Sequence, residues 1–342
     1  MKAIVAHAAN DVRLDSVGEA IPGRGQVSIV PAYGGICGSD LHYYREGRVG
    51  PYVLTEPLVL GHEVVGIVAT DTREVGGLVP GTPVAVHPAA YDTASASFRR
   101  DRPNISGGVR YLGSAASMPH TQGAFSERLI VDVGQVRPLP SGLPLRRAVL
   151  AEPLAVALHA LARAGDLTGA RVLVSGAGSI GLLAARAALS RGVISVSSCD
   201  VLAEPLARAE ALGADATYRV GVDEIPAQSF DVVIEASGAT AALTQAIRAV
   251  ASGGTIVQVG MLPGAPAPYA LAELVSREID VRGSFRFDTE LDDAIVLLER
   301  DPAFDSVITH EFAADQVIEA LRVASNGAES SKVVLRLWGD SR

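Results

Sequence analysis

The stretch Arg171-Val172-Leu173-Val174-Ser175-Gly176-Ala177-Gly178-Ser179-Ile180-Gly181 decides the fold of this chain. A short apolar strand runs into Gly-x-Gly-x-x-Gly, and an apolar helix follows from Leu182 to Leu189. Three spaced glycines alone are weak evidence; between a strand and a helix they make a dinucleotide-binding turn. Gly176 allows the tight turn, Gly178 lets the backbone approach a pyrophosphate, and Gly181 lets helix and strand pack closely. The helix N-terminus offers unpaired N–H groups and a partial positive charge to the phosphates, and Ser179 and Ile180 of the turn are expected to bind the cofactor with the glycines. An acidic residue belongs about 20 residues further on, at the end of the next strand. Asp200 stands there, after Ile194-Ser195-Val196-Ser197-Ser198-Cys199. Its carboxylate suits ribose hydroxyls and repels a 2′-phosphate. No Lys or Arg between Val201 and Ala207 offsets that repulsion, so the expected cofactor is NAD rather than NADP.

Outward from this turn the strand–helix alternation continues. A helix from Pro205 to Leu212 ends at Gly213, and strands follow at 231–236 and 254–259, with the pattern ending near 279–284. This alternation predicts a doubly wound parallel sheet in an α/β chain. Upstream, 26–32, 64–69 and 81–86 read as short strands between turn signals, a mostly β domain. The change comes near Leu145, where 146–164 has apolar residues at helical spacing and Pro153 as its one breaker. Downstream, helices at 292–300 and 315–324 precede a last strand at 332–337.

A length of 342 residues suggests two domains. Apolar residues make up 48% of the chain, enough for sizeable cores without disulfides. The net charge of -9 argues against a nucleic-acid partner. With only Cys37 and Cys199, a disulfide framework is not expected and a reducing, cytoplasmic compartment is. No apolar run is long enough for a bilayer, so no membrane partner is expected. The start, Met1-Lys2-Ala3-Ile4-Val5-Ala6, reads as a strand rather than a signal peptide.

Two further segments carry chemistry. Gly35-Ile36-Cys37-Gly38-Ser39-Asp40 offers a thiolate, and Gly61-His62-Glu63 an imidazole and a carboxylate. Separately they read as a buried cysteine, a structural histidine and a solvated charge. Together, ahead of a strongly apolar strand, they read as a zinc site, because thiolate and imidazole suit a borderline-soft ion. Cys199 lies beside Asp200 and offers no second thiolate here, so a carboxylate must replace one. Glu63 and Glu152 are the candidates. Cys37, His62 and Glu63 are the expected direct ligands, with Glu152 a fourth or exchanging ligand or a partner of the zinc-bound water. A Lewis acid beside a nicotinamide implies hydride transfer to or from a carbon bearing oxygen. Ser39, two residues past a ligand, is the expected start of a proton relay, with His42 and Tyr43 next along the segment.

The runs from Gly35 to Tyr43, Gly61-His62-Glu63, Ala151-Glu152-Pro153-Leu154-Ala155 and Gly283-Ser284-Phe285-Arg286-Phe287 resemble the polyol branch of the zinc-dependent medium-chain dehydrogenases, over essentially the whole length. The resemblance implies a GroES-like, mostly β catalytic domain at 1–147, an inserted Rossmann domain at 148–285 and completion of the catalytic domain at 286–342. It implies that Val259, Gly260, Ser284 and Phe285 line the nicotinamide and that Tyr43 and Arg286 contact substrate. It also implies a homodimer or homotetramer acting on a sugar acid or polyol. A sugar acid needs a cation in the cleft: Arg286, Arg48, Arg45, Arg110 and His120 are the candidates, and Arg would grip a carboxylate with two N–H groups. Many relatives hold a second, structural zinc with four cysteines; here Asp92, Ser95, Phe98 and Ser106 take those positions. That lobe is expected to stand without metal, leaving one catalytic zinc per chain. A neutral-polyol dehydrogenase and a non-catalytic NAD-binding protein are the alternatives.

Overall fold

The computed structural model describes residues 1–19, 21–70, 72, 77–262 and 269–339. A six-stranded sheet has the order Ala216–Arg219, Ser195–Asp200, Arg171–Ser175, Phe230–Glu235, Val250–Gln258, Asp280–Gly283, every pairing parallel. Chain order therefore runs outward in both directions from Arg171–Ser175, and the crevice beyond the strand ends at that reversal is where such sheets bind ligands. The inner strands are covered on both faces, which is why Val172, Val174 and Ile234 are buried and the strands read as continuous apolar runs. Gly176 has φ +92°, and a Cβ on Gly181 would run into the Gly176 carbonyl oxygen. The turn and the close packing of strand on helix thus require glycine at both positions.

A mixed seven-stranded sheet runs Val136–Pro138, Pro83–Val86, Glu63–Val68, Gln26–Gly35, Lys332–Arg336, Ile308–Ala313. Leu129–Asp132 pairs with the first half of Gln26–Gly35. Lys332–Arg336 pairs with its second half, Val334 opposite Gly35. A strand from the far end of the sequence therefore lies beside the strand that leads to Cys37.

Helix Ala151–Ala164 joins the two sheets. Pro153 does not break it but stands in its first turn, where a backbone N–H has no helical partner to lose. Leu154, Leu158 and Leu161 are buried, in one core with Val65 and Ala85 of the mixed sheet and Val172, Ile234 and Val257 of the parallel sheet. Burying each such leucine stabilises the fold by roughly 1.5–3 kcal/mol, an upper bound set by the extended-chain reference. The helix also packs on Ser179–Ala188 and Glu290–Arg300. Among the described residues no helix is long and apolar enough to cross a membrane.

Candidate active site

Strand Gln26–Gly35 delivers Cys37 to the N-cap of helix Gly38–Glu46. Asp40, in the first turn, accepts the Cys37 N–H at 2.9 Å and, through its other oxygen, the Gly61 N–H at 3.1 Å. One buried carboxylate thus ties the cysteine turn to the Gly61-His62-Glu63 turn. Burial raises the Asp40 pKa, opposed by His62 and the two backbone donors. Ligand atoms of Cys37, His62 and Glu63 all lie within 4.8 Å of one another, the one such trio among the described residues. Lys332 Nζ lies 2.7 and 2.8 Å from the two Glu63 carboxylate oxygens and donates to the Ile36 carbonyl at 3.0 Å. Burial would lower the Lys332 pKa, but Glu63 and Cys37 outweigh it and the net shift is upward.

Glu152, in the first turn of the joining helix, is buried and lies near enough to His62 and Glu63 to feel both charges. Burial raises its pKa, and the attraction of His62 opposes that. Its Oε1 accepts the Tyr111 hydroxyl at 2.6 Å. The Arg286 guanidinium lies 3.9 Å over the Tyr111 ring, and the His62 ring centroid is 5.6 Å from that ring. Arg286 has φ +54°, a left-handed conformation that costs a non-glycine residue about 1 kcal/mol or more. His62 shows the field of this pocket: burial would lower its pKa, yet Cys37, Glu152 and Asp40 hold it up to about 10. The donor set and its charge fit a divalent ion. Glu63 and Glu152 are buried beside the Cys37 thiol, and their oxygens keep lone pairs beyond the bonds to Lys332 and Tyr111, acceptor capacity that suits an ion.

The remaining predicted positions divide. Ser39 Oγ and Ser284 Oγ are buried with no hydrogen-bond partner among the described residues, free to meet a ligand oxygen. Buried Tyr43 accepts the Ala115 N–H at 2.8 Å through its hydroxyl oxygen, with the Ser114 side chain also beside that hydroxyl. His42 is exposed and bonds Glu46 one helical turn away. Arg48 donates to the Gly50 carbonyl, Arg45 to the Ser325 carbonyl, and Arg110 is exposed. Both His120 ring nitrogens are engaged within its own region: Nε2 accepts the Thr55 N–H at 3.1 Å and Nδ1 donates to the Ser117 carbonyl at 2.8 Å. His120 therefore has no ring nitrogen left for a substrate. Of the five candidate cations, Arg286 is the one in contact with the pocket's aromatic wall.

At the edge of the parallel sheet, Val259 and Gly260 both donate to the Glu235 carbonyl and Ser284 to that of Gln258. These bonds carry Val259, Gly260, Ser284 and the exposed Phe285 past the strand ends, toward the crevice. Gly178, Ser179 and Ile180 open the helix at the other side of that crevice. Asp200 accepts the Ala177 N–H at 2.8 Å and the Leu202 N–H at 3.0 Å, locking itself against the glycine turn. Its carbonyl accepts the Val220 N–H, and Val220 begins a 690 Å³ cavity lined also by Ile225, Ala241 and Thr244.

In the lobe with the four non-cysteine positions, Asp92 accepts the Ala94 N–H and Ser106 Oγ accepts the Arg99 N–H. Ser95 Oγ meets Ser97 Oγ, and the Phe98 ring lies 6.2 Å from that of Tyr91. Three residues of the pocket escaped the sequence reading. Lys332 had a signal, a lysine opening a buried apolar strand; Asp40 had one too, at the N3 position of a capping box. Tyr111 had none, because its partners lie far away in sequence.

Two family models match the chain: "Alcohol dehydrogenase GroES-like domain" over residues 23–141 and "Zinc-binding dehydrogenase" over residues 179–300. L-idonate 5-dehydrogenase (NAD(P)(+)) of Escherichia coli K12 is 35% identical over 311 residues, 88% of this chain and 89% of that protein. Sorbitol dehydrogenase of Gallus gallus is 32% identical over 345 residues, 98% of this chain and 96% of that one. The crystal structure of the Escherichia coli K-12 L-idonate 5-dehydrogenase superposes with a TM-score of 0.91 at 32% identity, covering 98% of each chain.

Proposed function

The chain belongs to the zinc-binding, GroES-like alcohol dehydrogenase family, and on that premise we propose that it oxidises a secondary alcohol of a sugar acid, L-idonate, with NAD. The observation that carries this is the trio Cys37, His62 and Glu63, within 4.8 Å of one another, beside a buried carboxylate whose aromatic partner seats Arg286. Bound by that trio, zinc supplies Lewis acidity to a hydroxyl oxygen, and NAD supplies the hydride acceptor. Glu152 would be a fourth or exchanging ligand, or would orient the reacting hydroxyl with the oxygen that Tyr111 leaves open. Ser39 Oγ receives the hydroxyl proton; its lack of a partner supports that role. His42 returns the proton to solvent, which its exposure supports. Tyr43 donates its hydroxyl hydrogen to a substrate oxygen, and Arg286 grips the carboxylate that distinguishes a sugar acid from a neutral polyol.

Gly176, Gly178, Ser179, Ile180 and Gly181 would hold the NAD pyrophosphate, Asp200 the ribose, the cavity begun by Val220 the adenine, and Val259, Gly260, Ser284 and Phe285 the nicotinamide. The domain limits of the sequence reading, 1–147, 148–285 and 286–342, are part of the same proposal. So is a cytoplasmic homodimer or homotetramer with one zinc per chain. Free Cys37 and Cys199 support the reducing compartment, and Asp92, Ser95, Phe98 and Ser106 support the single ion.

Turnover of L-idonate and sorbitol with NAD, before and after chelation, tests the assignment. L-idonate oxidation that is lost on chelation is expected. A preference for sorbitol moves the enzyme to the neutral polyols. NAD binding with no bound zinc and no turnover makes it a non-catalytic binder.

A further inference from the structure

Tyr111 stands at the junction of two groups that the proposed chemistry uses, Glu152 and Arg286, and is itself given no step in it. It ends the two-residue strand Arg110–Tyr111, paired with Ala89–Ala90, so Arg110 faces solvent and Tyr111 faces inward. Its hydroxyl donates to Glu152 Oε1 at 2.6 Å. Among the described residues this is the hydrogen bond that Glu152 receives from a protein side chain, so the carboxylate's direction depends on it. The opposite feature of the same residue, its ring face, carries the Arg286 guanidinium at 3.9 Å. Glu152 comes from the joining helix and Arg286 from beyond the last strand of the parallel sheet. One side chain therefore sets the relative position of a carboxylate and a cation that share no direct bond.

We propose that Tyr111 is a positioning residue with two separable functions: its hydroxyl aims Glu152 at the reacting hydroxyl, and its ring seats Arg286 for the far end of the substrate. Without the hydroxyl, Glu152 loses the one side-chain hydrogen bond it receives among the described residues, and nothing else there fixes its direction. A phenylalanine in its place removes the hydroxyl and keeps the ring; a leucine removes both. The proposal rests on the dehydrogenase assignment above, and it gives the two substitutions different kinetic signatures.

The zinc-loaded enzyme carrying Tyr111→Phe is expected to lose about 10- to 100-fold in kcat with KM for L-idonate within about twofold, a loss of orientation rather than of binding. Tyr111→Leu is expected to raise KM about tenfold as well, the scale of a cation–π contact in a desolvated pocket. Both variants should keep wild-type zinc content and NADH affinity. A crystal structure of zinc-loaded Tyr111→Phe should show Glu152 turned from its present direction, with Arg286 still over the ring at 111. Wild-type kcat in Tyr111→Phe, an equal KM rise in both variants, loss of zinc from Tyr111→Phe, or an unmoved Glu152 each overturns the proposal. Failure of the wild-type enzyme to turn over any polyol or sugar acid would count against the dehydrogenase assignment alone, since the Glu152 direction is read without turnover.

Discussion

Lys332 and Glu63 form a buried ion pair across 269 residues of sequence, the ammonium within 2.8 Å of both carboxylate oxygens. Each side chain is almost fully buried, at 2% and 1% exposure. The pair links the last strand of the mixed sheet to the proposed ligand trio, and each Glu63 oxygen keeps a lone pair for an ion. Removing one partner of such a pair leaves an uncompensated charge and costs roughly 3–5 kcal/mol. Lys332→Met should lower the denaturation midpoint strongly in chelated protein and much less in zinc-loaded protein, where the ion takes over the neutralisation. Equal midpoints for chelated variant and wild type would mean that Glu63 is stabilised by something other than Lys332.

Asp40 holds the two halves of the trio together through the Cys37 and Gly61 N–H groups. Removing an orienting partner of this kind typically lowers metal affinity about 10- to 100-fold. Asp40→Ala should therefore give up zinc to a competing chelator far more readily than the wild type. An unchanged competition curve would show that the two turns hold their positions without it.

Zinc uptake should depend on pH through His62. In the metal-free pocket the anionic neighbours hold its pKa up to about 10, so at pH 7 the imidazole carries a proton that a metal must displace. The affinity is then lowest in acid and rises with pH until His62 deprotonates unaided near the upper end, about tenfold per pH unit for this one proton. Calorimetric titration of the metal-free protein in buffers of different ionisation enthalpy measures the protons released. A heat independent of buffer would remove His62 from the ligand set or its proton from the starting state.

Asp200 should govern the choice between the two nicotinamide dinucleotides. Its carboxylate is fixed by the Ala177 and Leu202 N–H groups, so it cannot swing clear of a 2′-phosphate without breaking those bonds. Asp200→Ser should shift the NAD-to-NADP ratio of kcat/KM toward NADP by about tenfold or more, each 1.4 kcal/mol of relieved repulsion being one decade. A wild-type preference for NADP would contradict this account.

The lobe around Asp92, Ser95, Phe98 and Ser106 should survive chelation. Its hydrogen bonds and its Phe98–Tyr91 contact are independent of any ion. Metal analysis should return one zinc per chain, and two would place a second ion outside the trio.

Much of this was legible in sequence because it was local. The glycine turn, Asp200 at the strand end and the adjacent His62 and Glu63 are defined by spacing within a few residues or one βαβ unit. Helix Ala151–Ala164 was legible apart from its start, since the span 146–164 divides into Leu145–Ala148 and Ala151–Ala164, and apart from Pro153, which periodicity marks as a breaker and the first helical turn accommodates. His120 shows the opposite failure: a histidine in a loop reads as available until its ring nitrogens meet Thr55 and Ser117. Tyr111 and Lys332 reach Glu152 and Glu63 only through tertiary pairing, which no short window of residues encodes.

The strand Lys332–Arg336 lies beside Gln26–Gly35, and that fixes the timing of assembly. During synthesis the parallel sheet has all its strands once Gly283 has emerged, so its half of the molecule can close early. The ion-holding half waits for Lys332. A chain that stops ahead of that lysine has every strand of the parallel sheet but lacks both the partner of Glu63 and the strand beside Gln26–Gly35.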